Sequence, residues 1–417
     1  MLPLGPRGTG LFKFTNARSS QLERTLTMAT FVSPARVSQR LVSLDVFRGF
    51  TMAAMVLVNN GGDGDHIYPQ LAHAAWNGWT FTDWIFPFFL WISGMSTTYA
   101  VAARRARGAT TREILLQVLR RSALIFLVGL FLNGFPFGLI GDGSFTLATW
   151  RIPGVLQRIA ICYLVGSFLY CWMPSRRFWI VILALFISYW ALMEFVPVPG
   201  VGAGSWERGR NFAAYIDELV IGSHAYARTR PWDPEGIIST LPAIATFLFG
   251  ILAGDYLRRS KSPGEGKTSW FFVTGCILLV TSVVLDMWIP INKRLWTPSY
   301  VLMMAGWAHL VFACSFFLID VRGYRKGTMP FLVFGMNAIF IYAVSSLVES
   351  LVDVVSVAAV GPAGEGVRLS LKTWLMHAVF GPCFSPYNAS LAYACAVVLT
   401  MFLIGYLMWR NKWFVKI

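Results

Sequence analysis

Charged residues are scarce in this sequence, at 13% of 417 residues, whereas soluble domains carry about 25%. Hydrophobic residues make up 56% of the chain, and the mean hydropathy is +0.58. These values exclude an ordinary soluble domain. They predict an all-α, polytopic integral membrane protein with about ten transmembrane helices.

The sequence also lacks the clustered residues that several kinds of site require. None of the six cysteines belongs to a CxxC pair or a Cys/His cluster, which argues against a disulfide framework and a metal site. There is no Walker loop, no HExxH, no GxSxG, and no GxGxxG after a strand. No internal repeat supports an inverted-repeat transporter.

The net charge of +15 is concentrated in short connections between apolar runs. This arrangement follows the positive-inside rule and argues against nucleic acid as a partner. It predicts that both termini are cytoplasmic and that the 61–80 loop lies on the opposite side. Residues 1–39 are interpreted as a disordered basic cytoplasmic tail, and 40–417 as the transmembrane domain. The predicted spans are 41–60, 82–103, 122–140, 154–173, 178–196, 237–257, 269–289, 299–320, 330–350 and 389–409.

The first apolar run carries polar and sulfur-containing side chains at helical spacing. Asp45, Arg48, Met52, Met55 and Asn59 are three or four residues apart, so they share one helix face. From Asp45 to Asn59 a helix rises about 21 Å, most of a bilayer's hydrocarbon thickness. The face is interpreted as the wall of an internal path, or alternatively as a local Asp45–Arg48 ion pair at a helix end.

Seven blocks of sequence are informative together. They are RLVSLDVFRG (40–49), VNN (58–60), AHAAWNGWTFTDWIFPFF (72–89), RIPGVLQRIAICY (151–163), DPEGIIST (233–240), INKRLWTPSYV (291–301) and GMNAIFIY (335–342). In this order, and over nearly the whole chain after residue 40, they resemble the family of the lysosomal heparan-α-glucosaminide N-acetyltransferase and its bacterial relatives. Proteins of that family are multi-spanning acyltransferases that move an acetyl group from acetyl-CoA across a membrane onto a sugar.

His73 is the first catalytic candidate. Imidazole can act as a general base or hold an acyl group, although from the residues alone a loop histidine hydrogen-bonded to backbone is the commoner explanation. The resemblance implies that His73 is the active-site histidine and that Asn59 lies beside it. An amide such as that of Asn59 can donate to a thioester carbonyl oxygen, although an asparagine before Gly-Gly is also a common helix end. The other histidines, His66, His224, His309 and His377, match no catalytic block and are interpreted as non-catalytic.

Arginines near the cytoplasmic ends of the first and third spans are candidates for binding the phosphates of CoA. Guanidinium groups suit phosphate oxygens, so Arg48 (beside Asp45), Arg120 and Arg121 are predicted to bind acetyl-CoA. Ordinary positive-inside flanking is the alternative for Arg120 and Arg121.

The RIPGVLQR block is interpreted as part of the substrate or cofactor pocket. Arg151 and Arg158 are seven residues apart, which predicts one helix face near the outer side, with Gln157 beside them. The alternative is a structural ion pair. Asp233, Pro234 and Glu235 form a complete helix-start signature. The candidate substrate-binding residues are Trp76, Asn77, Asp83, Glu235, Lys293, Trp296 and Asn337.

The sequence therefore predicts a transmembrane acetyltransferase. Acetyl-CoA would bind from the cytoplasm with its acyl arm along the Asp45–Asn59 face, and an amine or hydroxyl of an extracytoplasmic sugar would accept the acetyl group through His73. The alternative is a transporter or flippase for a lipid-linked glycan that uses the same polar path. The resemblance further implies a homodimer, and a bacterial inner membrane with its lipids is the expected location.

Overall fold

The helices of the protein follow the apolar runs of its sequence. The structure is a computed structural model that describes residues 41–140, 145–360 and 366–415. The predicted cytoplasmic tail, residues 1–39, lies outside the described residues. The helices are α1 (Val42–Asn59), α2 (Thr82–Ala106), α3 (Thr111–Gly134), α4 (Val155–Trp172), α5 (Phe178–Phe195), α6 (Phe212–Val220), α7 (Thr240–Arg259), α8 (Gly264–Leu285), α9 (Pro298–Phe316), α10 (Met329–Met336), α11 (Ala338–Val354), α12 (Leu371–Leu375) and α13 (Pro386–Arg410).

The number of potential membrane spans agrees with the sequence. Within the described ranges, nine helices are long and apolar enough to cross a membrane. The pair α10 and α11 is bent by 83° and supplies a tenth span if it crosses as one unit. This confirms the prediction of an all-helical membrane protein with about ten spans. The two strands β1 (Ser356–Val360) and β2 (Gly366–Ser370) form one antiparallel hairpin after α11.

Glycines allow the inner helices to approach each other closely. At Gly49 and Gly335 the backbones of α1 and α10 touch, and at Gly94 and Gly250 those of α2 and α7 do the same. A Cβ atom at any of these four positions would overlap a backbone carbonyl oxygen of the facing helix. Such small-residue contacts are typical of membrane helices, which gain no hydrophobic driving force from lipid.

The third span begins earlier than its apolar run. The prediction placed it at 122–140, whereas α3 starts at Thr111. Thr110 and Glu113 form a capping box, in which each side chain accepts a hydrogen bond from the other residue's backbone N–H. The first turns of α3 mix apolar residues with Arg112, Glu113, Arg120 and Arg121, so a search for an uninterrupted apolar run does not include them.

The predicted helix start at Asp233 is wrong, because α7 begins at Thr240. The Asp233 carboxylate accepts the backbone N–H of Glu235 at 2.9 Å and that of Tyr226 at 2.8 Å. It therefore closes a turn in the loop before the helix, which is the competing use of an aspartate side chain.

Candidate active site

His73 lies in the loop between α1 and α2, and this loop is bound to the segment that precedes α9. The N–H of Gly78 donates to the carbonyl of Ile291 at 2.7 Å, and Nδ2 of Asn292 donates to Oδ1 of Asn77 at 3.0 Å. These bonds join regions that are more than two hundred residues apart in sequence. They bring Lys293 against His73.

A buried carboxylate orients His73. Asp83 is fully buried in the first turn of α2, and its Oδ1 lies 2.7 Å from Nδ1 of His73. Its Oδ2 accepts the backbone N–H groups of Ala74 at 3.1 Å and Thr80 at 3.0 Å, and the Thr80 hydroxyl at 3.2 Å. A carboxylate can only accept, so Nδ1 carries the proton and Nε2 keeps its lone pair. This is the arrangement that general-base and nucleophilic histidines require.

Lys293 completes a three-residue cluster. Its Nζ lies 2.8 Å from Nδ1 and 3.1 Å from Nε2 of His73, and 3.5 Å from Oδ1 of Asp83. The Lys293 side chain is 12% exposed, whereas that of His73 is 35% exposed and is accessible from the adjoining cavity. Lysine and histidine therefore share one carboxylate.

The cluster favours a neutral imidazole. Burial, followed by the charge of Lys293, lowers the pKa of His73 below its ordinary value of 6.5, although the hydrogen bond to Asp83 acts in the opposite direction. Burial also lowers the pKa of Lys293 to about 8. His73 is consequently available as a base or nucleophile near neutral pH.

The His73 cavity, which we name after its histidine, has a volume of 560 Å³. Its apolar wall includes Met55, Phe86 and Val155 from α1, α2 and α4. Asn59, at the end of α1, also lines it. Asn60, by contrast, is buried and donates to the carbonyl of Val56 at 2.7 Å. Only the first of these two neighbouring asparagines faces the cavity.

The rest of the His73 cavity is basic. Arg208, Arg228 and Arg294 line it, and within the described residues none of the three makes an ion pair. Arg151 also lines it, but its guanidinium binds Asp233 at 2.7 Å and Glu235 at 2.6 Å. Burial opposes the charge on Arg151, yet these two carboxylates raise its pKa above the ordinary value. The three unpaired guanidinium groups leave this cavity with excess positive charge.

A second cavity of 440 Å³, the Arg48 cavity, lies toward the other ends of the same helices. Arg48, Arg104 and Arg121 line it, together with hydroxyl side chains of α2 such as Ser96. Arg48 bonds Asp45 at 3.2 Å and Ser96 at 2.9 Å. Nε of Arg121 is buried without a hydrogen-bond partner in the described residues. Arg120 is exposed and does not line this cavity.

Residues three to seven positions apart on the same helices line the two cavities. On α2, Phe86 lines the His73 cavity and Phe89 lines the Arg48 cavity, about 4.5 Å apart along the helix. On α4, Val155 lines the His73 cavity and Ile159, one turn further along, lines the Arg48 cavity. Met52, between the cavities on α1, is 1% exposed and lines neither. The predicted path along α1 is thus open at both ends and closed at its middle.

The prediction that Arg151 and Arg158 share one helix face is wrong. α4 begins at Val155, after Pro153 and Gly154, so Arg151 lies in the extended segment before it. Arg158 is 1% exposed and donates to the carbonyl of Gly236 at 3.1 Å. The two arginines therefore occupy different environments, one in the His73 cavity and one in the protein interior.

Other candidate residues lie away from both the cluster and the His73 cavity. Gln157 is buried, and Trp296 is buried beneath the Arg158 guanidinium, with its Nε1 donating to Thr246 at 3.1 Å. Trp76 donates to the carbonyl of Trp206 at 3.0 Å. Asn337 lines the Arg48 cavity and is bonded to the backbone of Trp413 and Val415. His66, His224 and His309 bond Asp63, Trp150 and Ala305, respectively.

Sequence reasoning missed part of this site. It named Asp83 and Lys293 as substrate-binding residues and not as partners of His73, and it did not name Arg208, Arg228 or Arg294. The Asp83 signal was its position ten residues after His73 at the start of an apolar helix. The arginines occur in irregular loops, where no periodicity marks them. Among the described residues no group of three or more His, Cys, Asp or Glu side chains is placed to hold a metal ion.

Known proteins match most of the chain. The model of a family described as "Acyltransferase domain" matches residues 41–410. The heparan-α-glucosaminide N-acetyltransferase of Mus musculus is 31% identical over 362 residues, which cover 75% of this chain and 54% of that protein. The Homo sapiens protein of the same name is 31% identical over 385 residues, which cover 80% and 57%. The chain spans about half the length of these curated relatives.

Proposed function

Because this chain belongs to the acyltransferase family that includes the heparan-α-glucosaminide N-acetyltransferases, we propose that it transfers an acetyl group from acetyl-CoA to an extracytoplasmic sugar. The chain is a membrane acyltransferase; the donor, the acceptor and the roles of individual residues are the proposal. The observation that carries it is the Asp83–His73–Lys293 cluster, which opens into a cavity one helical turn from a second, arginine-lined cavity.

Acetyl-CoA would enter the Arg48 cavity from the cytoplasm. The positive-inside rule assigns this end of the helices to the cytoplasm, because Arg104, Arg121 and the C-terminal basic residues lie there. The buried Nε of Arg121, which has no partner among the described residues, is suited to a phosphate oxygen. The acyl arm would then pass between Phe86 and Phe89 to reach His73.

Two routes of transfer fit the geometry around His73. In the first, Nε2 attacks the thioester carbonyl, the CoA thiolate leaves and is protonated, and the acceptor then attacks the acetyl-imidazole and loses its proton. In the second, His73 takes the proton of the acceptor while the acceptor attacks the thioester directly, and the CoA thiolate leaves and takes that proton from the imidazolium. Both routes need a neutral imidazole with the Nδ1 proton held by Asp83, and both convert one thioester into one amide or ester.

Asn59 would stabilise the oxygen of the acyl group. Its side chain lines the same cavity as His73, and an amide N–H can donate to a carbonyl oxygen as negative charge develops on it. Such a donor contributes about 10²- to 10³-fold to the rate when it is aimed at the developing oxyanion.

The acceptor would bind among the loops at the His73 end of the protein. Glu235 and Tyr226 line this part of the cavity with the unpaired arginines, and carboxylate, phenol and guanidinium groups suit the hydroxyl and amine groups of a sugar. The bacterial inner membrane and the homodimer stay predictions from the sequence and the resemblance.

The test is a thioester-cleavage assay on the purified chain in detergent. Acetyl-CoA is the donor, and glucosamine and a panel of cell-envelope sugars are the acceptors. Wild type is compared with His73→Ala and with the matched variant His66→Ala, whose histidine is paired with Asp63 at 2.6 Å outside the His73 cavity. Acceptor-dependent CoA release by wild type and His66→Ala, but not by His73→Ala, supports the proposal. Equal release by all three removes His73 from the reaction.

The second candidate function is a transporter or flippase for a lipid-linked glycan. The observation that favours it is the pair of cavities toward opposite ends of α1 and α2, with buried Met52 between them. If no variant releases CoA, a glycan flux assay in vesicles tests this function, and flux unaffected by His73→Ala establishes it in place of acetyl transfer.

A further inference from the structure

We propose that Lys293 is a positioning residue that keeps the imidazole of His73 neutral, with the Nδ1 proton directed at Asp83 and Nε2 unprotonated. The inference concerns the same site as the proposed function and rests on it for its catalytic meaning. The effect of Lys293 on the protonation of His73 is a property of the folded chain, and it can be measured without any acyl transfer.

The position of Lys293 is the first support. Its ammonium nitrogen lies within 3.1 Å of both ring nitrogens of His73. Protonation of the ring would place two cations in contact while one carboxylate, Asp83, is shared between them. Like charges at this separation strongly disfavour the second ionisation.

The backbone around Lys293 fixes this contact. Asn292 is fully buried, and its Oδ1 accepts the N–H of Leu295 at 2.9 Å. Its own N–H donates to Oγ1 of Thr297 at 3.0 Å, and its Nδ2 donates to Asn77 in the His73 loop. The lysine is therefore held by the same residues that bind the two loops together.

Other charged groups near His73 do not replace Lys293. Asp83 favours the imidazolium form, whereas Arg294 opposes it more weakly than Lys293 does. Glu235 stabilises the charge of Lys293, but it is engaged by Arg151 across the cavity. Without Lys293, the buried Asp83 would face His73 with no contacting cation, and the pKa of His73 would rise.

This arrangement has a clear chemical use. A histidine paired with a buried aspartate usually gains affinity for a proton, and a protonated imidazole can neither accept an acetyl group nor act as a base. Lys293 offsets that effect while leaving Asp83 free to fix the tautomer. The site thus combines correct orientation of the ring with an Nε2 that carries no proton and lies 3.1 Å from the Lys293 ammonium.

The test measures the protonation of His73 directly. Diethyl pyrocarbonate acylates neutral imidazole, so the rate at which the His73 peptide is modified, followed by mass spectrometry across a pH series, gives the midpoint of its titration. The full-length chain in detergent is used, with no substrate. The variants are Lys293→Gln, Lys293→Met, Lys293→Arg and the matched control Arg294→Gln, which removes an equal charge from the adjacent position. The His309 peptide in the same sample reports whether each variant keeps its fold, because this histidine is 2% exposed and reacts only when the protein unfolds.

We expect a wild-type midpoint below 6.5, the ordinary histidine value. Lys293→Gln and Lys293→Met should raise it by about one pH unit or more, Arg294→Gln should raise it less, and Lys293→Arg should keep it below 6.5. A wild-type midpoint at or above 6.5 overturns the inference. So does an unchanged midpoint in whichever neutral variant folds, or a rise in Lys293→Arg equal to that in Lys293→Gln. If the midpoints shift as expected but the protein transfers no acetyl group, the proposed function is refuted and the role of Lys293 still holds.

Discussion

Replacing Asp83 with asparagine changes one atom and should reverse the proton arrangement of His73. Three donors, the N–H groups of Ala74 and Thr80 and the Thr80 hydroxyl, point at Oδ2. The asparagine oxygen must occupy that position, because turning the amide around would leave these donors facing an NH₂ group at about 1 to 3 kcal/mol each. The amide nitrogen then takes the place of Oδ1, 2.7 Å from Nδ1 of His73.

An amide nitrogen can only donate, so Nδ1 of His73 must become the acceptor and the ring proton must move to Nε2. The reacting lone pair is then occupied. From the usual effect of a wrong histidine tautomer we expect transfer to fall by about 10³- to 10⁴-fold, or about 4 to 5.5 kcal/mol of transition-state stabilisation.

The assay is acceptor-dependent CoA release with saturating acetyl-CoA, after tryptophan fluorescence has established that the variant unfolds at the wild-type temperature. Asp63→Asn is the matched control, because Asp63 also bonds a histidine, at 2.6 Å, but both side chains are well exposed. The control should keep wild-type activity. Asp83→Asn activity within about tenfold of wild type, in a folded protein, would refute the tautomer argument.

Three further outcomes follow from the two cavities. Asn59→Ala should lower CoA release by about 10²- to 10³-fold with little change in the KM for acetyl-CoA. Asn60→Ala should instead lower the unfolding temperature, because it removes a buried hydrogen bond. Equal kinetic effects of the two variants would contradict the assignment of Asn59 as the oxyanion donor. Arg121→Gln should raise the KM for acetyl-CoA without changing that for S-acetyl-pantetheine, which has no phosphates, and exposed Arg120→Gln should change neither. The pKa of His73 is lowered from 6.5, so its imidazole stays neutral at pH values somewhat below 6.5. The acid limb of the pH–rate profile should therefore have its midpoint below 6.5. A midpoint above 6.5 would contradict the lowered pKa of His73.

The sequence predicted the helices well because a membrane span has a strong and local signal. About twenty apolar residues in succession identify one, and the spacing from Asp45 to Asn59 correctly predicted that Arg48 and Asn59 lie toward opposite ends of one helix. The buried Met52 could not be anticipated, because whether a helix face lines a cavity or packs against a neighbour depends on the other helices.

The site was less accessible to sequence reasoning because its key contacts join distant loops. His73 and Lys293 are separated by 220 positions, and no periodicity relates two irregular loops. The resemblance made His73 the first catalytic candidate, but it did not predict the contact with Lys293. Local patterns also misled where a side chain had two possible uses, as with Asp233, which closes a turn and binds Arg151 instead of starting a helix.

The thin partition at Phe86 and Phe89 also shapes the electrical behaviour of the protein. If water fills both cavities, it carries the bulk potential inward, so in an energised membrane most of the voltage would fall across the one to two helical turns between the cavities instead of the whole bilayer. Moving a unit charge across that short distance then costs nearly as much as moving it across the whole membrane, roughly 2.3 kcal/mol per 100 mV. In the proposed reaction a neutral acetyl group would cross without this energy, whereas the charge of a CoA thiolate that withdraws toward the cytoplasm would not, so the membrane potential would act on the departure of CoA far more than on the arrival of the acetyl group.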